Sequence, residues 1–205
     1  MCRVIVFIGV VFLASCFAQD PPLPKPKQFP RVDFPEREYQ LFGDSECSFH
    51  FSYPTYAKIE KKTSFFNEAP IHPCWFDVYF PQFNGRLHFS YIGIAGRTEF
   101  DDLVDDAFEL VSNHHIKANY KRESLIEGDN KHGLLFDIEG PVASPLLFYL
   151  TDSTNHFLLA SLYFNNKVRP DSMQIIHDFV REDVVELIES FEWASATLSH
   201  PQLSR

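Results

Sequence analysis

Five apolar residues in a row, Leu146 to Leu150, are followed by six polar ones, Thr151 to His156, and then by eight positions, Phe157 to Phe164, that are apolar almost throughout. A strand with one wet face alternates apolar and polar residues, so unbroken runs of this length predict two central strands covered on both faces and joined by a polar turn. Other segments do alternate. Cys47, Phe49, Phe51 and Tyr53 are interleaved with Ser48, His50 and Ser52, and Leu87, Phe89 and Tyr91 with His88 and Ser90. Each predicts a strand with a polar side. Between Phe76 and Tyr91 the pair Asn84, Gly85 predicts a type I′ hairpin turn, whose two central positions need positive φ.

Two stretches repeat near 3.6 residues. Phe100, Leu103, Val104, Ala107, Phe108 and Val111 share a face behind a capping box of Thr98 and Asp101, and Glu99, Asp101, Asp102, Asp105 and Asp106 place negative charge in the first turns. Ile176, Phe179, Val180, Val184, Leu187, Ile188 and Phe191 form the stripe of a closing helix capped at Asp171 or Ser172. The order reads as three strands, a helix, about four strands and a final helix. That pattern predicts an α+β fold in which a largely antiparallel β-sheet packs with a mid-chain helix and a C-terminal helix.

Ahead of this domain, Arg3 precedes 11 residues, Val4 to Ala14, without a polar side chain. This is a secretory leader, too short for a membrane-spanning helix. The run ends in Leu13, Ala14, Ser15, Cys16, which resembles the bacterial lipobox, in which the Cys is acylated and becomes the new N-terminus. Residues 1–15 are thus expected to be a lipoprotein signal peptide and Cys16 the lipidation site, with several palmitate-type chains giving a durable hold where one is marginal. The alternative is an ordinary secreted protein cut after Ala18. Six prolines between Pro21 and Pro35 make residues 16–35 an extended, polyproline-like tether. Residues 36–195 are read as a single domain and 196–205 as a flexible tail. A formal charge of −10 disfavours nucleic acid as a partner.

Cys47 and Cys74 are the cysteines left outside the leader and lipobox, and in an oxidising compartment they either bridge or pack as buried thiols. The nine His residues lack metal-ligand spacing: His114 and His115 diverge at a helix end, and His72 and His132 have no carboxylate suitably placed. No metal or cofactor is expected. The polar hexapeptide offers an acid, a hydroxyl and an imidazole in Asp152, Ser153 and His156. It lacks the small residues of a nucleophile elbow, and Asx and Ser/Thr turns account for the same residues structurally.

Taken in order, several pieces resemble the gliding-motility lipoproteins of the GldD type from Bacteroidota. They are Arg31–Val32–Asp33–Phe34–Pro35, Phe51 to Ala57, Cys74–Trp75, Leu87 to Tyr91, His115–Ile116–Lys117–Ala118, Thr151 to Leu158, Leu162 to Asn165, and Ser190 to Trp193. Val32, Phe34 and Leu159 depart from the expected pattern. The resemblance names no catalytic residue. Its motif positions nominate a functional surface of Asp152, Ser153, Thr154, His156, Trp75, His88, His115 and Lys117. A fainter similarity of the last third to PsbP-like domains fits the α+β reading.

What the resemblance implies is a membrane-anchored lipoprotein required for gliding motility and the linked type IX secretion machinery, acting without catalysis to support other envelope lipoproteins as partners. A lone Asp20, where surface-exported lipoproteins of that group carry an acidic cluster, points to a periplasm-facing domain, with inner or outer membrane left open. The alternatives are a periplasmic hydrolase or glycan-processing enzyme using Asp152, Ser153 and His156, and a small-ligand binding lipoprotein whose aromatics line a pocket.

Overall fold

The computed structural model describes residues 31–61, 72–115, 118–165 and 170–194. Cys16, Lys117, the leader, most of the tether and the tail lie outside them. The elements all fall within the compact unit that starts at Asp33. In chain order they are β1 (Tyr39–Gly43), β2 (Phe49–Pro54), β3 (Lys58–Lys61), β4 (Phe76–Phe80), β5 (Gly85–Gly93), α1 (Arg97–His115), β6 (Tyr120–Gly128), β7 (Lys131–Glu139), β8 (Leu146–Thr151), β9 (His156–Phe164), α2 (Pro170–Ser190) and β10 (Glu192–Trp193). Seven strands form one sheet in the order β3-β4-β5-β9-β8-β7-β6, and β1-β2-β10 form a second; every pairing is antiparallel. The fold is therefore α+β, with antiparallel sheets and, among the described residues, two α-helices.

The unbroken apolar runs become neighbouring inner strands β8 and β9. All six residues of β8 are buried. One face of the large sheet carries Phe136, Ile138, Leu147, Tyr149 and Phe157 against Ala107 and Val111 of α1. The opposite face carries the residues of alternate parity, including Val78, Leu87, Phe89, Phe148 and Ala160. Against it lies the small sheet, and phenylalanines of both sheets and of the α2–β10 junction fill the space between them. Phe51 stacks on Phe89 at 5.4 Å, Phe76 on Phe89 at 4.9 Å, and Phe49 on Phe191 at 5.3 Å. This aromatic layer absorbs much of the chain's complement of 22 Phe.

Residues 33–43 are fastened to α2. Phe34 stacks on Phe179 at 4.4 Å, with the Arg37 guanidinium 4.3 Å from the same ring. The buried Asp183 carboxylate accepts hydrogen bonds from the hydroxyls of Tyr39 and Tyr56, and Arg37 Nε lies 3.3 Å from it. Burial and that carboxylate push both phenols above their ordinary pKa, so they remain donors. A second buried carboxylate, Asp137 on β7, takes Arg181 of α2 at 2.6 Å and Arg122 of β6 at 3.2 Å. At the end of α2, Lys131 Nζ donates to the carbonyls of Ile188, Glu189 and Phe191. Cations are favoured at that end of a helix.

Cys47 and Cys74 are joined in a disulfide, with Cα atoms 5.6 Å apart. Three expectations need correction. Among the described residues five strands, not three, precede α1, because β1 and β3 are also present, and β10 follows α2. The β4–β5 hairpin turns through a 3-10 segment, Pro81–Phe83; only Asn84 has positive φ (49°), while Gly85 already pairs with Phe80. That glycine is needed for space, since a Cβ there would meet the Phe164 ring at 2.9 Å. The first turn of α1 is not closed by Thr98 and Asp101: Glu99 Oε2 accepts from Ala95 N at 2.6 Å.

Candidate functional site

The register of β4, β5 and β9 assembles polar side chains on the face shared with α1. Asp77 is paired with His88, His88 with Ser161, and Ser90 with Leu159. Because α1 reaches only part of this face, a cavity of about 450 Å3 opens beside it, lined by Trp75, His88, Ser90, Leu159, Ser161 and Tyr163, with Leu110 of α1 and Asn165 at its margins. Asp77, only 2% exposed, lies behind the imidazole. Its Oδ1 is 2.5 Å from His88 Nδ1, and its Oδ2 accepts from Arg86 Nη1 at 3.2 Å. Arg86 Nη1 also donates to Glu60 Oε2 at 2.6 Å. With Nδ1 held by the Asp77 carboxylate, Nε2 is the imidazole nitrogen outside that bond. Trp75 is held by its own hydrogen bond, Nε1 to the Tyr91 carbonyl at 2.8 Å.

Trp75 and His88 thus meet in one recess. The Asp152 turn is a separate feature, at the β8–β9 hairpin. Asp152 Oδ1 accepts from the backbone N–H groups of Thr154, Asn155 and His156 at 3.0, 2.8 and 2.9 Å. Partial burial opposes its ionisation, but these donors outweigh it and hold the carboxyl well below the usual range. Ser153 stands exposed at φ 65°, and its N–H is bonded to Thr151 Oγ1. His156 Nδ1 is taken by the Tyr91 hydroxyl at 2.7 Å, and its ring stacks on Trp193 at 5.0 Å. Asp, Ser and His here serve the turn rather than one another, so they do not compose an acyl-transfer set. Tyr91 joins the two regions, accepting from Trp75 through its carbonyl and bonding His156 through its hydroxyl. His115 is the last residue of α1.

The sequence reading missed Asp77, Arg86, Ser161 and Tyr163. A visible signal was Ser161, a hydroxyl inside an otherwise apolar run. Asp77 alternates with Phe76 and Val78, but only the strand register shows that it supports His88. The Asp77–His88 pair is an orienter with a base, yet among the described residues no hydroxyl is hydrogen-bonded to His88 Nε2. Likewise, among the described residues no three His, Cys, Asp or Glu gather as metal ligands, and no helix is long and apolar enough to cross a membrane.

A search of curated proteins finds no match. Among solved structures, the solution structure of cyanobacterial PsbP (CyanoP) from Synechocystis sp. PCC 6803 is similar at a TM-score of 0.45 and 13% identity, over 80% of this chain and 97% of that one. The family model for gliding motility lipoprotein GldD matches residues 19–193, and the chain belongs to that family of membrane-anchored lipoproteins.

Proposed function

We propose that this chain is a periplasm-facing lipoprotein, acylated at Cys16, that acts without catalysis as an assembly and stability factor for other envelope lipoproteins of the gliding and type IX secretion machinery. Family membership supports the setting. The observation that carries the non-catalytic part is that the one acid–hydroxyl–imidazole cluster evident in the sequence is consumed by its own turn, with three backbone amides on Asp152 and the Tyr91 hydroxyl on His156. Deletion of the gene is expected to abolish surface spreading and secretion together, and Cys16→Ala to abolish labelling by fatty acid. Normal spreading after deletion, or unchanged labelling, refutes the respective half.

A second reading, binding of a small ligand, is favoured by the recess at Trp75 and His88, whose 450 Å3 falls within the size range of ligand sites. It is compatible with the first: a recognition module can bind a small group carried by its surroundings. Trp75→Ala in an otherwise intact lipoprotein distinguishes them, since loss of spreading with the partner lipoproteins still abundant favours the ligand role.

A further inference from the structure

Four features of the Trp75 recess define what it can hold. Among the described residues its lining contains no Asp, Glu, Lys or Arg; Asp77 is engaged by His88 and Arg86, and Arg86 by Asp77 and Glu60. An ionic ligand would therefore be desolvated without a counter-charge, which is costly. The walls are flat or aliphatic, from Trp75, Tyr163, Leu110 and Leu159. The floor is polar: His88 and Ser161 are directly opposed across β5 and β9, with Ser90 two residues along the same strand face. Directly opposed side chains lie about 5 Å apart and the next position about 7 Å along, so the floor presents hydrogen-bonding groups at the breadth of a six-membered sugar ring. Lastly, His88 cannot swing away, because Asp77, 2% exposed, holds its Nδ1 at 2.5 Å.

A purely apolar ligand would cover the polar edge formed by His88, Ser90 and the Ser161–Tyr163 hydroxyl pair without bonding to it, and a charged one would find no neutralising group among the described residues. A molecule with an apolar face and uncharged hydrogen-bonding edges satisfies both. We infer that this recess is a binding site for a neutral saccharide, of one or two pyranose rings, with Trp75 as the stacking wall and His88, Ser90 and Ser161 as the hydrogen-bonding floor. This rests on the small-ligand reading of the recess and specifies its substrate class.

The test uses the full chain purified from the envelope fraction in a detergent without a sugar headgroup. Titrants are N-acetylglucosamine, its β-1,4-linked dimer, glucose, glucuronate as a charged control, and indole as an aromatic side-chain mimic. Binding is read by calorimetry and by the fluorescence of Trp75, with Trp75→Phe as the spectral control and thermal melts as the check on folding. At least one neutral sugar is expected to saturate with a half-point on the order of 1 mM, the strength set by ligand size, and to be insensitive to added salt. Ser90→Ala, which leaves the Ser161–Tyr163 pair in place, should weaken it about threefold or more, and His88→Ala more strongly, in variants that melt like the parent. Saturation by indole alone overturns the saccharide assignment while leaving the recess as a ligand site. Tighter binding of glucuronate, or sugar binding unmoved by Ser90→Ala, also overturns it. No binding by any titrant overturns the assignment and the small-ligand reading together, without touching the outcome of the gene deletion.

Discussion

Opening the Cys47–Cys74 bridge is the most direct way to weigh what holds this domain together. The bond closes a loop with a sequence separation of 27 residues. The entropy a crosslink removes from the unfolded chain is roughly 2.1 + 1.5R ln n cal/mol/K, which for a loop of this length is about 12 cal/mol/K, or about 3.6 kcal/mol at room temperature. Native contacts change little, because Cys74 is 0% and Cys47 8% exposed and two thiols can occupy that apolar space. The double variant Cys47→Ala, Cys74→Ala and the reduced wild type should therefore both lose about 3 to 4 kcal/mol against the oxidised protein in urea unfolding, lowering the midpoint by roughly 1.5 to 2 M at a typical slope. Agreement between these two species within about 1 kcal/mol is the internal control. A loss below about 1 kcal/mol refutes the reasoning, since it would place the bond's effect in neither chain entropy nor packing. The neighbouring residue, Trp75, gives a second readout: once the crosslink is gone its emission should shift at lower urea than the far-UV signal of α2, because the crosslink holds the entry to β4.

Asp152→Ala should cost about 1 to 2 kcal/mol by leaving three backbone amides to water, with activity in spreading lost only as far as the protein is lost. The folded carboxyl titrates below its ordinary 3.8, so its contribution is complete above about pH 5 and disappears as pH falls through the carboxylate range; the stability gap between wild type and variant should close there. Lys131→Met removes the ammonium from three carbonyls at the end of α2 and is expected to lower stability by about 2 kcal/mol, measured by urea titration with Trp193 emission as reporter. Gly133→Ala places a Cβ 1.9 Å from the Tyr149 carbonyl oxygen, an overlap with backbone that should cost about 3 kcal/mol or more and appear as loss of soluble protein.

How much of this was legible depends on whether a residue's role is set by its own strand or by the neighbouring one. Leu146 to Leu150 and Phe157 to Leu162 declare their burial by themselves, and both are inner strands. Tyr39 to Gly43 gives no such signal, because only Phe42 of those five is buried and Leu41 is 69% exposed; its pairing is dictated by β2. The turn at Asn84 misled because Gly85 has two uses, positive φ or lack of bulk, and the Phe164 ring that decides for the second lies 79 positions away in sequence. Trp75 and His88 were nominated separately. That they share a recess, and that Asp77 and Arg86 stand behind it, follows from a register between three strands that no local pattern encodes.

The fastening at Asp183 has a mechanical side. With the acyl anchor at Cys16, as proposed, any pull on it arrives at the amino-terminal end of this domain. There it meets Phe34, stacked on Phe179, then Arg37, clasped to Asp183 and laid over the same ring, and then Tyr39, hydrogen-bonded to that carboxylate. The load is thereby passed to a 21-residue helix instead of peeling the exposed strand β1 from its edge, so traction on the anchor can be borne without opening the sheet.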